Sequence, residues 1–239
     1  MAELQHMPPI IIPPEELFPF GHKWKENGNC LARTPPLSSM ELTYVFDKKI
    51  GSALAGMLGN IPVVELTQNN TNPPLIPAIA DCVEVGPCRV IGGIRPQNFD
   101  VGYRPDGIRI AFDSKTLNDK DSVKKNYQNM INDLGAEASS VHSRFPYAVV
   151  SFLVAIPTPC LLEVQKRALT SSLNRLTGRN SPVDVQHKAE AIAFVLWEPT
   201  TGQIDPTWPH SDSPLRIEAL SKQIETAYVS RYQGLPPHH

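Results

Sequence analysis

The chain reads as an α/β fold, a mixed central sheet with helices on both sides. Three features predict it. Residues 147–156 and 191–197 are nearly unbroken apolar runs, the pattern of strands buried on both faces in the middle of a sheet. Apolar residues recur at helical spacing in four separate stretches. Three longer strand-like runs, preceded by one short run, lie between the first two of those stretches, so the order of the main elements is helix, three strands, helix, strand, helix, strand, helix.

Each element has a local reason. Ser38-Ser39-Met40-Glu41 fits a capping box, and Leu42, Val45, Phe46, Ile50, Leu54 and Met57 follow at helical spacing, predicting a helix over 39–58 that stops at Gly59. Residues 61–66 form a short strand, Asn69 to Pro74 a loop, and 82–91 a strand interrupted at Gly86-Pro87. Two further strands, 97–103 and 107–115, flank Pro105-Asp106-Gly107. Asp121 caps a second helix over 121–134, with Val123, Tyr127, Ile131 and Leu134 inward and Gly135 as its stop. A helix near 160–177 precedes the strand at 191–197, and Ser213-Pro214 opens the last helix with proline at its first position.

At 239 residues the chain can bury a full core. We divide it into a proline-rich irregular arm (1–37), a core carrying the chemistry (38–158) and an α/β extension packed on the same domain (159–239). The arm reflects the 24 prolines, several of them paired, as at Pro8-Pro9, Pro13-Pro14 and Pro35-Pro36. Cys30, Cys82, Cys88 and Cys160 show no CxxC or zinc-finger spacing, which suits reduced thiols in a cytoplasmic protein. The first residues carry no secretory pattern, and no apolar run is long enough for a bilayer, so no membrane partner is expected. The formal charge is −2, but from Arg144 to Arg179 five cations (Arg144, Lys166, Arg167, Arg175, Arg179) face Glu163 alone. That block suits nucleic acid or a solvated helix face. There is no phosphate-loop signature and no serine-hydrolase elbow.

The chemistry concentrates between Phe99 and Lys115. With Pro105-Asp106 as a two-residue turn, Arg104 pairs with Gly107 and Asp100 lies opposite Ala111. Alternation then puts Ala111, Asp113 and Lys115 on one face, joined by Asp100 from across the pair. Asp100 and Asp113 become diagonal neighbours, roughly 7–8 Å apart at the backbone. Two carboxylates suffice for Mg2+, which prefers oxygen ligands and keeps several waters. Lys115 on the same face can place a water or stabilise charge on phosphorus.

This arrangement resembles the PD-(D/E)XK nuclease superfamily, to which many type II restriction endonucleases belong. The resemblance covers roughly residues 39–156, in that family's helix, three strands, helix, strand order. It implies a restriction-endonuclease-like core and Mg2+-dependent, sequence-specific cleavage of double-stranded DNA. It assigns Asp100 to the first acid position, Asp113 to the (D/E) position and Lys115 to the lysine position, with Asp100 and Asp113 as metal ligands. Phe99 stands where the family's proline would precede the first acid. The literal Pro-Asp is Pro105-Asp106, but seven residues of strand place Asp106 about 23 Å from Asp113. Asp47-Lys48-Lys49 also matches an acid, any residue and lysine, yet it lies inside a predicted helix. The family often adds an acid from the preceding helix, for which Glu41 or Glu65 is available. Lys120, Lys124, Lys125, Asn126, Gln128 and Arg144 are candidate DNA contacts. Reading a palindrome implies a homodimer. A repair or recombination nuclease on the same core and a non-catalytic nucleic-acid-binding module are the alternatives.

Overall fold

A computed structural model describes residues 3–68, 70 and 72–238; Asn69 and Thr71, in the predicted loop, lie outside the described residues. The architecture is α/β, with a six-stranded mixed sheet whose strands follow in sequence order and helices flanking it. The strands are β1 (Val63–Glu65), β2 (Val83–Ile91), β3 (Pro96–Tyr103), β4 (Ile110–Thr116), β5 (Val149–Pro157) and β6 (Ala191–Trp197). β1 is parallel to β2, β2–β3–β4 form an antiparallel meander, and β4, β5 and β6 run parallel. β5 and β6 are buried along their whole length, as unbroken apolar runs require.

The helices are α1 (Pro14–Glu26), α2 (Ser39–Met57), α3 (Lys120–His142), α4 (Glu163–Leu176) and α5 (Ile217–Tyr232). The α2 capping box forms as read. Ser38 Oγ accepts the Glu41 N–H at 3.3 Å, and Glu41 Oε2 accepts the Ser38 N–H at 2.8 Å. The interruption at Gly86-Pro87 is a bulge between Val85 and Cys88; Gly86 has φ +121, and a Cβ there would lie 2.9 Å from Leu66 Cβ.

Three predicted elements differ. The arm is not irregular throughout, since residues 14–26 form α1, burying Leu17, Phe20 and Trp24. Pro14 at the helix start costs no hydrogen bond, and Pro19 inside the helix gives one up, so the buried stripe of Leu17, Phe20 and Trp24 outweighs that loss. α3 starts one residue earlier than expected, capped by Asp119 rather than Asp121, and runs seven residues past Gly135. Leu134, Ala138 and Val141 continue its buried stripe, so packing outweighs the weak helix propensity of glycine. Ser213-Pro214 belongs to a turn, where Ser213 Oγ accepts the Leu215 N–H, and α5 begins at Ile217.

α2 lies against the middle strands. A Cβ at Gly51 would sit 2.3 Å from Val85 Cγ2, so the helix backbone approaches β2 closely. One apolar core joins α1, α2, the meander, β5, β6 and α5. Among the described residues no helix is long and apolar enough to cross a membrane.

Candidate active site

The β3–β4 register differs from the one read from the turn. Val101 pairs with Phe112, Gly102 with Ala111 and Tyr103 with Ile110. The connection is longer than two residues: Arg109 N–H donates to Tyr103 O, and Asp106 reaches back to the Arg109 guanidinium at 2.8 Å. Asp106 is thus paired with Arg109 at the turn. The register moves by two residues in total, so parity is conserved. One step beyond the last ladder pair, Asp100 lies opposite Asp113 rather than diagonal to it.

At that step the ladder opens. Asp100 Oδ2 accepts the Ser114 N–H at 2.9 Å and the Ser114 hydroxyl at 3.1 Å, so a side-chain carboxylate replaces a backbone acceptor. The Asp113 carboxyl is close enough for its charge to act on Asp100. Asp113 in turn contacts Lys115 Nζ, which lies 3.1 Å from Glu137 Oε1 on α3.

Residues 114 and 115 point to opposite faces of β4, so the two flanking helices reach the site from opposite sides. From α2, Asp47 Oδ1 lies 2.7 Å from the Ser114 hydroxyl, whose single proton is shared between Asp47 and Asp100. From α3, Glu137 meets Lys115. A continuous chain of polar contacts, Asp47–Ser114–Asp100–Asp113–Lys115–Glu137, passes through the opened ladder. Four carboxyl groups surround one amine.

The electrostatics follow from that ratio. Burial drives the Asp100 carboxyl well above the usual range, and the charges of Asp113 and Asp47 add to the rise. Burial does the same to Asp47, against the Ser114 hydrogen bond. Glu137 is pushed up to about 7 by burial and the Asp113 charge, with Lys115 opposing. Burial pulls the Lys115 amine down, but Asp113 and Glu137 outweigh it and the proton is held more tightly than usual.

Asp100, Asp113 and Lys115 are therefore brought together. Glu41 and Glu65 are not: Glu41 is the reciprocal partner of the capping box, and Glu65 accepts the Tyr44 hydroxyl at 2.5 Å. The acid that α2 contributes is Asp47, in the acid–Lys–Lys triplet set aside as helical. Helical spacing did mark it, because Phe46, Asp47 and Ile50 are all buried and an acid inside a buried stripe is the anomaly. Glu137 was hidden because α3 was expected to stop at Gly135.

Lys120, Lys124, Lys125, Asn126 and Gln128 are exposed on the first half of α3, as a contact surface requires. Arg144 lies beyond the other end of that helix, about 36 Å from Lys120 along its axis. It bonds Ile91 O at 3.0 Å and is not part of the same patch. The basic block also disperses: Arg179 is 1% exposed and Lys166 pairs with Glu163 at 2.8 Å.

Among the described residues no three His, Cys, Asp or Glu side chains form a ready metal-ligand set. Asp100 and Asp113 fit Mg2+ as a two-carboxylate site completed by water and phosphate. Glu137 Oε2 is buried without a hydrogen-bond partner in the same cluster, an oxygen with unused capacity. The site is a gap between two interior strands of the sheet, largely buried except at Lys115, whose side chain is 28% exposed against 6% for Asp113. It does not line the 440 Å3 cavity beside the β3–β4 turn, which is walled by Leu75, Ile76 and Phe145. No family model, curated protein or solved structure matches the chain.

Proposed function

We propose that the chain is a Mg2+-dependent endonuclease that hydrolyses phosphodiester bonds in double-stranded DNA. On this reading it has a restriction-endonuclease-like core and acts as a sequence-specific homodimer of the type II restriction class. The observation that carries the reading is the meeting of Asp100, Asp113 and Lys115 where the β3–β4 ladder opens. Crowded carboxylates around one amine are costly to a fold unless a ligand offsets them, which favours a functional role over a structural one.

Asp100 and Asp113 would hold the ion. A bound Mg2+ supplies Lewis acidity toward the scissile phosphate and a water of lowered pKa. Lys115 keeps its proton and presents it on the same face, where it can stabilise charge on a phosphoryl oxygen or orient the attacking water. Glu137 holds the amine from the α3 side, and near neutrality its carboxyl can give or take a proton. Asp47 fixes the Ser114 hydroxyl, which fixes Asp100. Exposed Lys120, Lys124, Lys125, Asn126 and Gln128 lie on the helix that carries Glu137, about 14–26 Å from it along the axis. The non-catalytic module has less support, because the basic block that would have carried it is partly buried and partly paired.

The test is incubation with plasmid and phage DNA in Mg2+, beside Asp113→Ala and Lys115→Ala. Discrete bands from wild type alone are expected. Cleavage confined to branched, flapped or nicked DNA would move the reading to a repair or recombination nuclease. Intact DNA across varied sequences, structures and divalent ions would refute it.

A further inference from the structure

We propose that the polar cavity between the end of α4 and α5 binds a small phosphorylated ligand, with its phosphate seated beside Arg179. The cavity measures about 540 Å3, and Asn174, Thr177, Arg179, Asn180, Lys222 and Gln223 contribute to its wall, with the Glu190 carboxylate also lining it but engaged by both arginines. It lies at the start of β6, two strands away from β4, and the inference does not depend on the nuclease reading.

Two observations point to an anion. The first is a charge imbalance. Arg179 Nη1 and Arg231 Nη1 both lie 2.8 Å from the same Glu190 oxygen, and Arg179, Arg231 and Glu190 are 1%, 9% and 4% exposed. Glu190's other oxygen accepts the Val150 N–H at 2.7 Å and lies 3.2 Å from His142 Nε2. Two guanidiniums thus share one buried carboxylate, and only the partly exposed Asp184 adds a second negative charge near Arg179, so a buried excess of positive charge remains. Isolated buried charge costs several kcal/mol unless something compensates it.

The second is unused hydrogen-bonding capacity in the cavity wall. Arg179 Nη2 donates to Pro146 O at 3.1 Å and Pro182 O at 2.7 Å, but its Nε has no partner among the described residues. Thr177 Oγ1, on a residue only 6% exposed, is also buried without a partner. A phosphate oxygen accepts from a guanidinium N–H and a hydroxyl together. Lys222, at the rim, reaches Glu225 at 3.4 Å and is otherwise solvated, so it can turn to a second phosphate charge. A phosphate monoester carries about −1.5 to −2 at neutral pH, which matches one buried and one rim cation. The amides of Asn174, Asn180 and Gln223 line the remaining volume and suit a polar body such as a nucleoside.

The test uses the full chain in EDTA, with thermal shift and calorimetric titration of inorganic phosphate, a nucleoside 5′-monophosphate, the parent nucleoside and citrate. The monophosphate should raise Tm and bind with a salt-sensitive Kd, the nucleoside should not, and citrate should bind more weakly. Lys222→Gln should weaken monophosphate binding about tenfold and Thr177→Val about fivefold, each a lost contact to a charged oxygen. Neither change touches the Glu190 network, so both variants should fold. No Tm shift with either phosphate, or wild-type affinity in both variants, overturns the proposal. Citrate binding as tightly as the monophosphate overturns the phosphate assignment, and equal affinity for inorganic phosphate overturns the organic ligand.

Discussion

Asp100→Asn separates a functional carboxylate from a structural one. The substitution keeps size and shape. Asparagine Oδ1 can still accept the Ser114 N–H and hydroxyl, which Asp100 accepts at 2.9 and 3.1 Å. Its NH2 can donate to Asp113, converting a carboxyl–carboxyl contact into an amide–carboxylate hydrogen bond. Two unit charges about 4 Å apart at an effective dielectric of 20 repel by about 4 kcal/mol. Protonation already relieves part of that, since burial and the neighbouring acids raise the Asp100 carboxyl well above its usual range. We therefore expect Asp100→Asn to be more stable than wild type in EDTA by about 1–3 kcal/mol, read from urea midpoints at constant m. Mg2+ should reverse the order: at 100 times Kd a bound ion stabilises wild type by about 2.7 kcal/mol, while the variant gains little. DNA cleavage should be lost. A variant less stable than wild type in EDTA would make Asp100 a structural acceptor, and an equal Mg2+ response in the two proteins would remove it from the ion. Either result refutes the reasoning.

Other expectations follow from single contacts. Asp47→Asn should lower the cleavage rate at least tenfold, whereas Glu41→Gln should cleave like wild type and lose about 1 kcal/mol of stability, the cost of a weakened cap. Initial rates on a plasmid substrate and urea midpoints report both. Gly51→Ala puts a methyl group 2.3 Å from Val85 Cγ2 and should cost about 1–3 kcal/mol, seen as a lower urea midpoint. Glu190→Gln leaves two buried guanidiniums without a counter-charge and should cost about 3–5 kcal/mol at pH 7. Burial raises the Glu190 carboxyl, but His142, Arg231 and Arg179 outweigh it and hold it below the usual range. Its stabilisation is therefore full above the unfolded pKa of about 4.3 and is lost as pH falls through the folded value. The gap between wild type and variant should narrow below about pH 4 in urea titrations, and a constant gap down to pH 3 would contradict the assignment.

The alternation of Asp113 and Lys115 on one face, with Asp100 joining from across the pair, was legible in the sequence, because side-chain parity along a strand is local and survives a two-residue error in register. The α2 capping box and the buried runs of β5 and β6 were legible for the same reason. Two acids of the cluster were not. Asp47 sits in a triplet that spacing assigns to a helix, and only the docking of α2 onto β2–β4 brings its carboxyl to Ser114. Glu137 lies beyond a glycine that local propensity reads as a stop, and only packing carries α3 past it. The dispersal of the basic block was equally invisible, since a linear charge count cannot know that Arg179 is committed to Glu190.

By itself the amino-acid order determined which residues alternate, which segments are apolar and where the α2 helix is capped. Tertiary structure alone decided that Asp100 faces Asp113 where the ladder opens, and that acids from two helices on opposite faces of the sheet converge there. The first set depends on the backbone geometry of neighbouring residues. The second depends on how segments distant in the chain pack, which local spacing does not encode.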